Sequence, residues 1–139
     1  TAVGVAHATN SPTVLFIGDL TLLHDLSGLM TARRLDQNLT VVVADNNGGG
    51  IFSFLPISAS SEVDYNRLFH TPHDLNISDL APLLGANLHE VANKDDLVHA
   101  LNASVGYRGI HLIHARVDAE TNVEIHRSLI QAVHASLAK

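Results

Sequence analysis

Two patterns of apolar and polar positions alternate along the chain. Short runs of mostly apolar residues cover 13–17, 39–44, 88–92 and 109–117, which indicates strands, and the second run is apolar enough for a strand buried on both faces. Between the runs, apolar residues recur every three or four positions, as on one face of a helix. Strands that alternate with helices are typical of an α/β protein with a doubly wound, mostly parallel sheet.

The helical pattern can be assigned to particular segments. Residues 1–8 are small and mostly apolar, and residues 22–34 carry leucines at the spacing of one continuous amphipathic helix. Ser78 is expected to cap a short helix that Gly85 ends, and Asn93 is expected to cap the next one. The final helix is predicted from the spacing of Ile125, Leu129, Val133 and Leu137.

Polar clusters directly follow two of the predicted strands. Gly18 and Asp19 follow the first apolar run, and Asn46 follows the second, just before a glycine triplet at 48–50. If the two strands are parallel neighbours, a carboxylate and a carboxamide meet at one edge of the sheet. Such oxygen ligands suit Mg²⁺, and glycine N–H groups approach an anion closely because no Cβ obstructs them. The clusters therefore predict a metal–diphosphate site.

The same residues resemble the motif of thiamin-diphosphate enzymes, in which Gly-Asp-X is followed, after one helix, by Asn-Asn. Residues 18–25 and 46–56 are similar in particular to the SEPHCHC synthases (2-succinyl-5-enolpyruvyl-6-hydroxy-3-cyclohexene-1-carboxylate synthases) of menaquinone biosynthesis. Leu20 and the Gly-Gly-Gly-Ile-Phe string indicate this subfamily. Asp45 stands where many relatives have Asn, and a small effect is expected because the resemblance assigns the metal to Asn46.

The resemblance implies thiamin diphosphate as cofactor, with Mg²⁺ or Mn²⁺. Asp19 and Asn46 would bind the metal through side-chain oxygens and Gly48 through its carbonyl. The helix after Asp19 would point its N-terminus at the diphosphate. The residues expected at the cofactor are Gly18, Leu20, Thr21, Asn47, Gly49 and Ile51, and those expected at the substrate pocket are Phe52 and Leu55. For Ile51, Phe52 and Leu55 the alternative is ordinary core packing of a short helix.

The resemblance also implies an activity and partners. Such an enzyme decarboxylates 2-oxoglutarate and adds the succinyl-carbanion equivalent to isochorismate. Residues 1–139 would form only its C-terminal diphosphate-binding domain, truncated at the N-terminal edge, with the other domains absent. The activating carboxylate would come from the N-terminal pyrimidine-binding domain of a partner subunit, in a homodimer or homotetramer. We therefore expect no catalytic residue in this chain and no activity from the chain alone.

Composition and the absence of common motifs argue against several classes of function. The net charge of −6 gives no support to nucleic-acid binding, and no apolar stretch approaches the ~20 residues of a membrane span. The absence of cysteine from the sequence excludes a disulfide and a thiol nucleophile, and fits a reducing, cytoplasmic location. The sequence contains no Gly-X-Ser-X-Gly, Walker or Gly-X-Gly-X-X-Gly pattern, so serine hydrolysis and nucleotide binding lose their usual signals.

Two other functions remain open at this point. One is another thiamin-diphosphate enzyme of the acetolactate-synthase or decarboxylase type, which upstream sequence would discriminate. The other is a non-catalytic, flavodoxin-like interaction domain in which Asp19 is an isolated turn residue. A calorimetric titration with thiamin diphosphate and Mg²⁺ separates the interaction domain from both kinds of enzyme.

Overall fold

The chain forms two compact units in the computed structural model, which describes residues 1–138. The first unit comprises Thr1–Asp45 and Asp74–Arg116, and the second comprises Asn46–His73 and the chain from Val117 onward. Every strand of the described residues belongs to the first unit, whereas the second unit consists of one long helix and short helical turns.

The first unit has an α/β architecture, in which helices alternate along the chain with the strands of one parallel sheet. Its elements are, in chain order, α1 (Ala2–Thr9), β1 (Thr13–Gly18), α2 (Asp19–His24), α3 (Leu26–Arg34), β2 (Leu39–Asp45), a 3₁₀ turn (Ile77–Asp79), α4 (Leu80–Leu84), β3 (Asn87–Val91), α5 (Lys94–Ser104) and β4 (Ile110–Arg116). The strands are all parallel, in the order β1-β2-β4-β3. After β2 the chain crosses to β3 at the far edge and returns, so β4 lies between β2 and β3.

The two faces of the sheet carry separate apolar clusters. Val41 and Val43 of β2 pack in one cluster with side chains from α2, α3 and α4, whereas Val42 packs in the other with Ala100 of α5. Successive side chains of a strand point to opposite faces, so β2 must be apolar throughout to serve both clusters. Helices therefore cover both faces, and the predicted doubly wound parallel sheet is confirmed.

One predicted helix is in fact two. The pattern over 22–34 indicated a continuous helix, but α2 ends at His24 and α3 begins at Leu26. Asp25, at φ −111° and ψ 23°, lies outside helical geometry between them. A Cβ added to Gly28 would lie 3.1 Å from Asp25 Oδ1, so Gly28 leaves the space that the Asp25 carboxylate occupies at this break. Leucine spacing did not reveal the break because it continues unchanged through Asp25.

Two of the three predicted helix ends near α4 and α5 are confirmed, and one is wrong. Gly85 ends α4 in the left-handed conformation, at φ 63°, and the side chain of Asn93 caps α5 by accepting from Asp96 N at 3.0 Å. The predicted capping role of Ser78 is wrong. Ser78 lies inside the 3₁₀ turn, and its hydroxyl group bonds to side chains of the sheet rather than to a helix end.

The second unit is built around α6 (Ala119–Leu137). The carboxylate of Asp118 caps this helix by accepting from Thr121 N at 2.8 Å. Shorter helical turns in the same unit are Gly50–Phe54, Pro56–Ala59 and Asn66–His70. The ring of Phe54 meets His126 of α6 edge-on, with centroids 5.5 Å apart. Among the helices of residues 1–138, none has the length and apolar character that crossing a membrane requires.

Candidate functional site

Asp19 is a buried carboxylate at the carboxyl end of β1. It is the first residue of α2, its relative exposure is 3%, and its Oδ1 accepts from Leu20 N at 2.7 Å. Gly18 precedes it as the helix cap and adds no side-chain bond. Acidic side chains are rarely buried to this extent unless they are paired or coordinate a metal. Asp19 is therefore a strong candidate for a functional group.

The helix that follows Asp19 is shorter than expected. Leu20 is half-buried and Thr21 exposed in the first turn of α2, but the helix ends after six residues at His24. The continuous helix whose N-terminus was expected to face a diphosphate is therefore absent. Because fewer aligned peptide dipoles contribute, less electrostatic support for an anion comes from this helix end than a long helix would give.

A second carboxylate lies beside Asp19. Asp45 ends β2, and residues 18 and 44 of the two strands are paired in register. One carboxylate oxygen of Asp19 and one of Asp45 lie within 4.8 Å of each other. Two anionic groups at this separation repel each other, so the site favours a positively charged ligand or a compensating donor. One such donor is His114, whose Nε2 lies 2.7 Å from Asp45 Oδ2.

Asp45 is one end of a hydrogen-bonded network across the sheet. His114 of β4 is 2% exposed, and its Nδ1 lies 2.8 Å from the hydroxyl oxygen of Ser78. The Ser78 hydroxyl donates to Glu90 Oε1 at 2.9 Å. Glu90 and His114 are register partners on β3 and β4. The network therefore runs from β3, through β4, to the carboxyl end of β2, next to Asp19.

Sequence reasoning missed this network. Its members, Asp45, Ser78, Glu90 and His114, are distant in the chain, and no spacing connects them. They meet only because β4 lies between β2 and β3, a strand order that the apolar pattern does not specify. The one local signal was Asp45 at a position where the resemblance leads one to expect Asn, and the His114 donor now gives that carboxylate a structural partner.

The turn after β2 belongs to the second unit and needs its glycines. Asn46 and Asn47 open the turn, with Asn47 at φ 58° and Gly48 at φ 143°. A Cβ on Gly48 would overlap the carbonyl oxygen of His70, and a Cβ on Gly50 would overlap the side-chain amide of Asn46. These approaches are possible only for glycine.

Gly49 packs closely against the backbone of Phe69 and His70. Its N–H donates to the carbonyl of His70 at 2.6 Å, and an added Cβ would lie 2.6 Å from the carbonyl oxygen of Phe69. Gly48 and Gly49 are both buried. The glycine triplet is therefore a closely packed, defined turn within its unit rather than a flexible loop.

Three apolar side chains follow this turn on the surface. Ile51 is 75% exposed, Phe52 38% and Leu55 49%. Ile51 and Phe52 lie in the turn Gly50–Phe54, and Leu55 follows it directly. The alternative of ordinary core packing does not hold in this chain. These residues form apolar surface that a ligand or another polypeptide can cover.

Two histidines outside this region form a pair on the sheet. His89 Nε2 and His111 Nδ1 lie 3.1 Å apart, and the rings stack with centroids 5.4 Å apart. Burial lowers the pKa of His89 below its usual 6.5, and the charges of His111 and His99 lower it further. His111 and His114 have different partners, as expected for residues three apart on a strand.

The lowered pKa of His89 predicts a pH-dependent stability. The unfolded chain, with a His89 pKa near 6.5, takes up a proton before the folded chain does, so the free energy of unfolding should fall as the pH drops below about 6.5. Chemical denaturation between pH 5 and 8 measures this slope. His89→Asn should flatten it, whereas His134→Asn, on the exposed side of α6, should not; equal slopes in all three proteins would contradict the assignment.

The comparison with protein families agrees with these features. The model described as thiamine pyrophosphate enzyme, C-terminal TPP binding domain, matches residues 1–115. The solved structures that resemble the chain include benzoylformate decarboxylase from Polynucleobacter necessarius, with a TM-score of 0.71 and 22% identity over 85% of this chain and 23% of that one. Another is the thiamine diphosphate-dependent 4-hydroxybenzoylformate decarboxylase of Rhodococcus jostii RHA1, with a TM-score of 0.70 and 21% identity over 84% of this chain and 22% of that one. At these identities the structures show the shared fold.

Curated relatives are closer in sequence. The 2-succinyl-5-enolpyruvyl-6-hydroxy-3-cyclohexene-1-carboxylate synthase of Myxococcus xanthus is 43% identical over 99% of this chain and 23% of its own length. The synthase of the same name from Lactococcus lactis subsp. cremoris is 42% identical over 91% of this chain and 22% of its own length. A third, from Bacillus pumilus, is 39% identical over 96% and 23%. The chain thus spans less than a quarter of the length of these relatives.

Proposed function

The chain belongs to the family of C-terminal thiamine pyrophosphate (thiamin diphosphate) binding domains of thiamin-diphosphate enzymes, and from this membership we propose that it holds the diphosphate and divalent-cation end of the cofactor in a SEPHCHC synthase. In this proposal residues 1–139 correspond to the C-terminal diphosphate-binding domain of such an enzyme. The observation that carries the proposal is the buried carboxylate of Asp19 at the carboxyl end of β1, beside the end of β2.

The oxygen donors that we assign suit Mg²⁺ or Mn²⁺. We assign Asp19 and Asn46 as ligands through their side-chain oxygens and Gly48 through its carbonyl. Carboxylate, carboxamide and carbonyl oxygens are the hard ligands that Mg²⁺ prefers, with phosphate oxygens and water completing its octahedral shell. The negative charge of Asp45 within 4.8 Å of Asp19 adds to the attraction for a cation.

The glycine turn supports the diphosphate part of the proposal. Gly48 and Gly49 are held by close backbone contacts, among them the bond from the Gly49 N–H to the His70 carbonyl, so the Gly48 carbonyl has a fixed direction. A rigid turn of this kind presents backbone groups to a ligand without a large entropic cost of ordering. The further cofactor contacts that we assign, all at the turn or at the start of α2, are Gly18, Leu20, Thr21, Asn47, Gly49 and Ile51.

The relatives' name and the cofactor support the reaction that we propose. When bound, thiamin diphosphate supplies a thiazolium carbon that adds to a 2-oxo acid and accepts the electrons released by decarboxylation. We propose 2-oxoglutarate as the acid, because its loss of CO₂ leaves the four carbons of a succinyl group, and isochorismate as the acceptor. The role of this chain is to bind and orient the cofactor. Phe52 and Leu55 would exclude water from one wall of the substrate pocket.

The exposed apolar residues fit an incomplete pocket. Ile51, Phe52 and Leu55 would be covered by the N-terminal pyrimidine-binding domain of a partner subunit, in a cytoplasmic homodimer or homotetramer. That domain would also supply the carboxylate that activates the aminopyrimidine. For this reason we expect the 139-residue chain alone to be inactive and to bind the cofactor weakly at best.

The proposal is tested by product formation. The protein at its natural length, given thiamin diphosphate and Mg²⁺, should convert 2-oxoglutarate and isochorismate to the succinylated cyclohexene product and CO₂, which mass spectrometry and CO₂ release detect. A reaction without isochorismate serves as the control for simple decarboxylation. Release of CO₂ without the coupled product would contradict the synthase assignment. Failure to use any 2-oxo acid while the cofactor is bound would contradict the enzyme assignment.

A further inference from the structure

We propose that His114 is a positioning residue for the cation site: it holds the Asp45 carboxylate beside Asp19 and is itself held in place by Ser78 and Glu90. This inference rests on the proposed function, since it assigns to the network a role at the site that Asp19 would form with Mg²⁺. It adds Asp45 of β2 and His114 of β4, to neither of which the resemblance assigns the metal.

The hydrogen bonds determine the orientation of the ring. Ionised carboxylate oxygens only accept hydrogen bonds, so His114 Nε2 must carry the hydrogen that it shares with Asp45 Oδ2, at 2.7 Å. At the other side of the ring, Nδ1–H donates to the Ser78 oxygen at 2.8 Å, because the single hydroxyl hydrogen of Ser78 is given to Glu90. Ser78 is in turn fixed by donating to Glu90. Both ring nitrogens are therefore engaged, and the buried ring has one orientation that satisfies both contacts.

The position of Asp45 explains why this matters for cation binding. Its carboxylate lies within 4.8 Å of an oxygen of Asp19, so the two groups repel each other when no cation lies between them. The Nε2–H donor holds one oxygen of Asp45 in place against this repulsion. Asp45 is also the last residue of β2, from which the chain continues directly to Asn46. Holding Asp45 thus preserves the negative charge beside Asp19.

Side chains that orient the residues of a metal site have a typical effect on metal affinity. Groups that orient metal-binding side chains typically change metal affinity by about 10–100-fold when they are removed. We expect the effect of His114 to lie at the lower end, because it acts through Asp45 rather than through an assigned ligand. A purely structural histidine would instead alter stability without a specific effect on the metal.

The experiment measures Mn²⁺ affinity by electron paramagnetic resonance of the free ion, with thiamin diphosphate present, in the protein at its natural length. His114→Leu should weaken Mn²⁺ binding by about tenfold. His114→Gln, whose amide can donate from nearly the position of Nε2, should restore affinity to within about threefold of the parent. The melting temperature of the metal-free protein is measured for every variant.

A matched control separates positioning from stability. His111→Leu removes a buried histidine of the same strand, whose partners are His89 and the carbonyl of Arg108. It should lower the melting temperature and leave Mn²⁺ affinity unchanged. Equal losses of Mn²⁺ affinity in His111→Leu and His114→Leu, or parental affinity in His114→Leu, would overturn the inference.

A milder variant decides the case in which His114→Leu does not fold. Ser78→Ala keeps the donor to Asp45 but removes the group that orients the ring, so Mn²⁺ binding should weaken by a few-fold; unchanged affinity would overturn the inference. The parent protein reports on the proposed function separately. If the parent itself bound no Mn²⁺ with thiamin diphosphate, the proposed function would fail and this inference with it. Parental binding with unaffected variants would remove only the role of His114.

Discussion

Asp19→Ala should greatly weaken the Mg²⁺-dependent binding of thiamin diphosphate. Asp19 is the carboxylate that we assign as a direct metal ligand, and it is buried at 3% exposure, where water does not readily replace it. Removing one partner of a buried charge interaction typically costs about 2–5 kcal/mol. At 1.4 kcal/mol for each factor of ten, cofactor affinity should fall by at least about 30-fold. Isothermal titration calorimetry of thiamin diphosphate into the protein at its natural length, with saturating Mg²⁺, measures this change in affinity.

Two further variants identify the cause of that loss. Asp19→Asn keeps the side-chain shape and the acceptor for Leu20 N but removes the charge. Its loss of cofactor affinity should therefore be nearly as large as that of Asp19→Ala. Asp95→Ala removes an exposed carboxylate in the first turn of α5 and should bind as the parent does. A cofactor affinity for Asp19→Ala equal to that of the parent, with the metal present, would remove Asp19 from the site.

Gly48→Ala should be the most disruptive change in the glycine turn. Its backbone is at φ 143°, which residues with a Cβ rarely adopt, and the added methyl would overlap the carbonyl oxygen of His70. Backbone strain of this kind costs about 1–3 kcal/mol, and the displaced carbonyl adds to it. We expect a lower free energy of unfolding and cofactor binding reduced by at least about tenfold, measured by denaturant titration and calorimetry.

Gly109 provides a matched control for the clash. It also has a positive φ, 91°, but an added Cβ would meet no atom within 4 Å. Gly109→Ala therefore carries backbone strain without the overlap, and it should lose stability while binding the cofactor normally. If both alanine variants bound the cofactor as the parent does, the proposed contribution of the turn at Gly48 would be wrong.

Much of the fold could be predicted from the sequence because local patterns reflect local physics. A strand that serves two apolar clusters must be apolar at every position, and β2 carries that signal. Gly85 and Asn93 mark helix ends through backbone conformation and capping, which depend only on neighbouring residues. The break at Asp25 was not predictable in this way, since the leucine spacing continues through it.

Likewise, only part of the candidate site could be predicted from the sequence. Asp19 and the glycine turn directly follow apolar runs, so they could be located from the sequence. The network that ends at Asp45 could not, because its hydrogen bonds join strands that are distant in the chain. Ser78 shows the limit most clearly: serine before a short helix is ordinarily a cap, but here its hydroxyl bonds to Glu90 and His114. Strand order decided this outcome, and local sequence does not encode strand order.

A titration of thiamin diphosphate into the protein at its natural length, with and without Mg²⁺, tests whether the chain holds the cofactor through a divalent cation. We expect saturable binding of one cofactor per chain in the presence of Mg²⁺. After chelation with EDTA the affinity should be at least about tenfold weaker, since the cation offsets the repulsion between the diphosphate and Asp19. No binding, or binding with equal affinity with and without the metal, would contradict it.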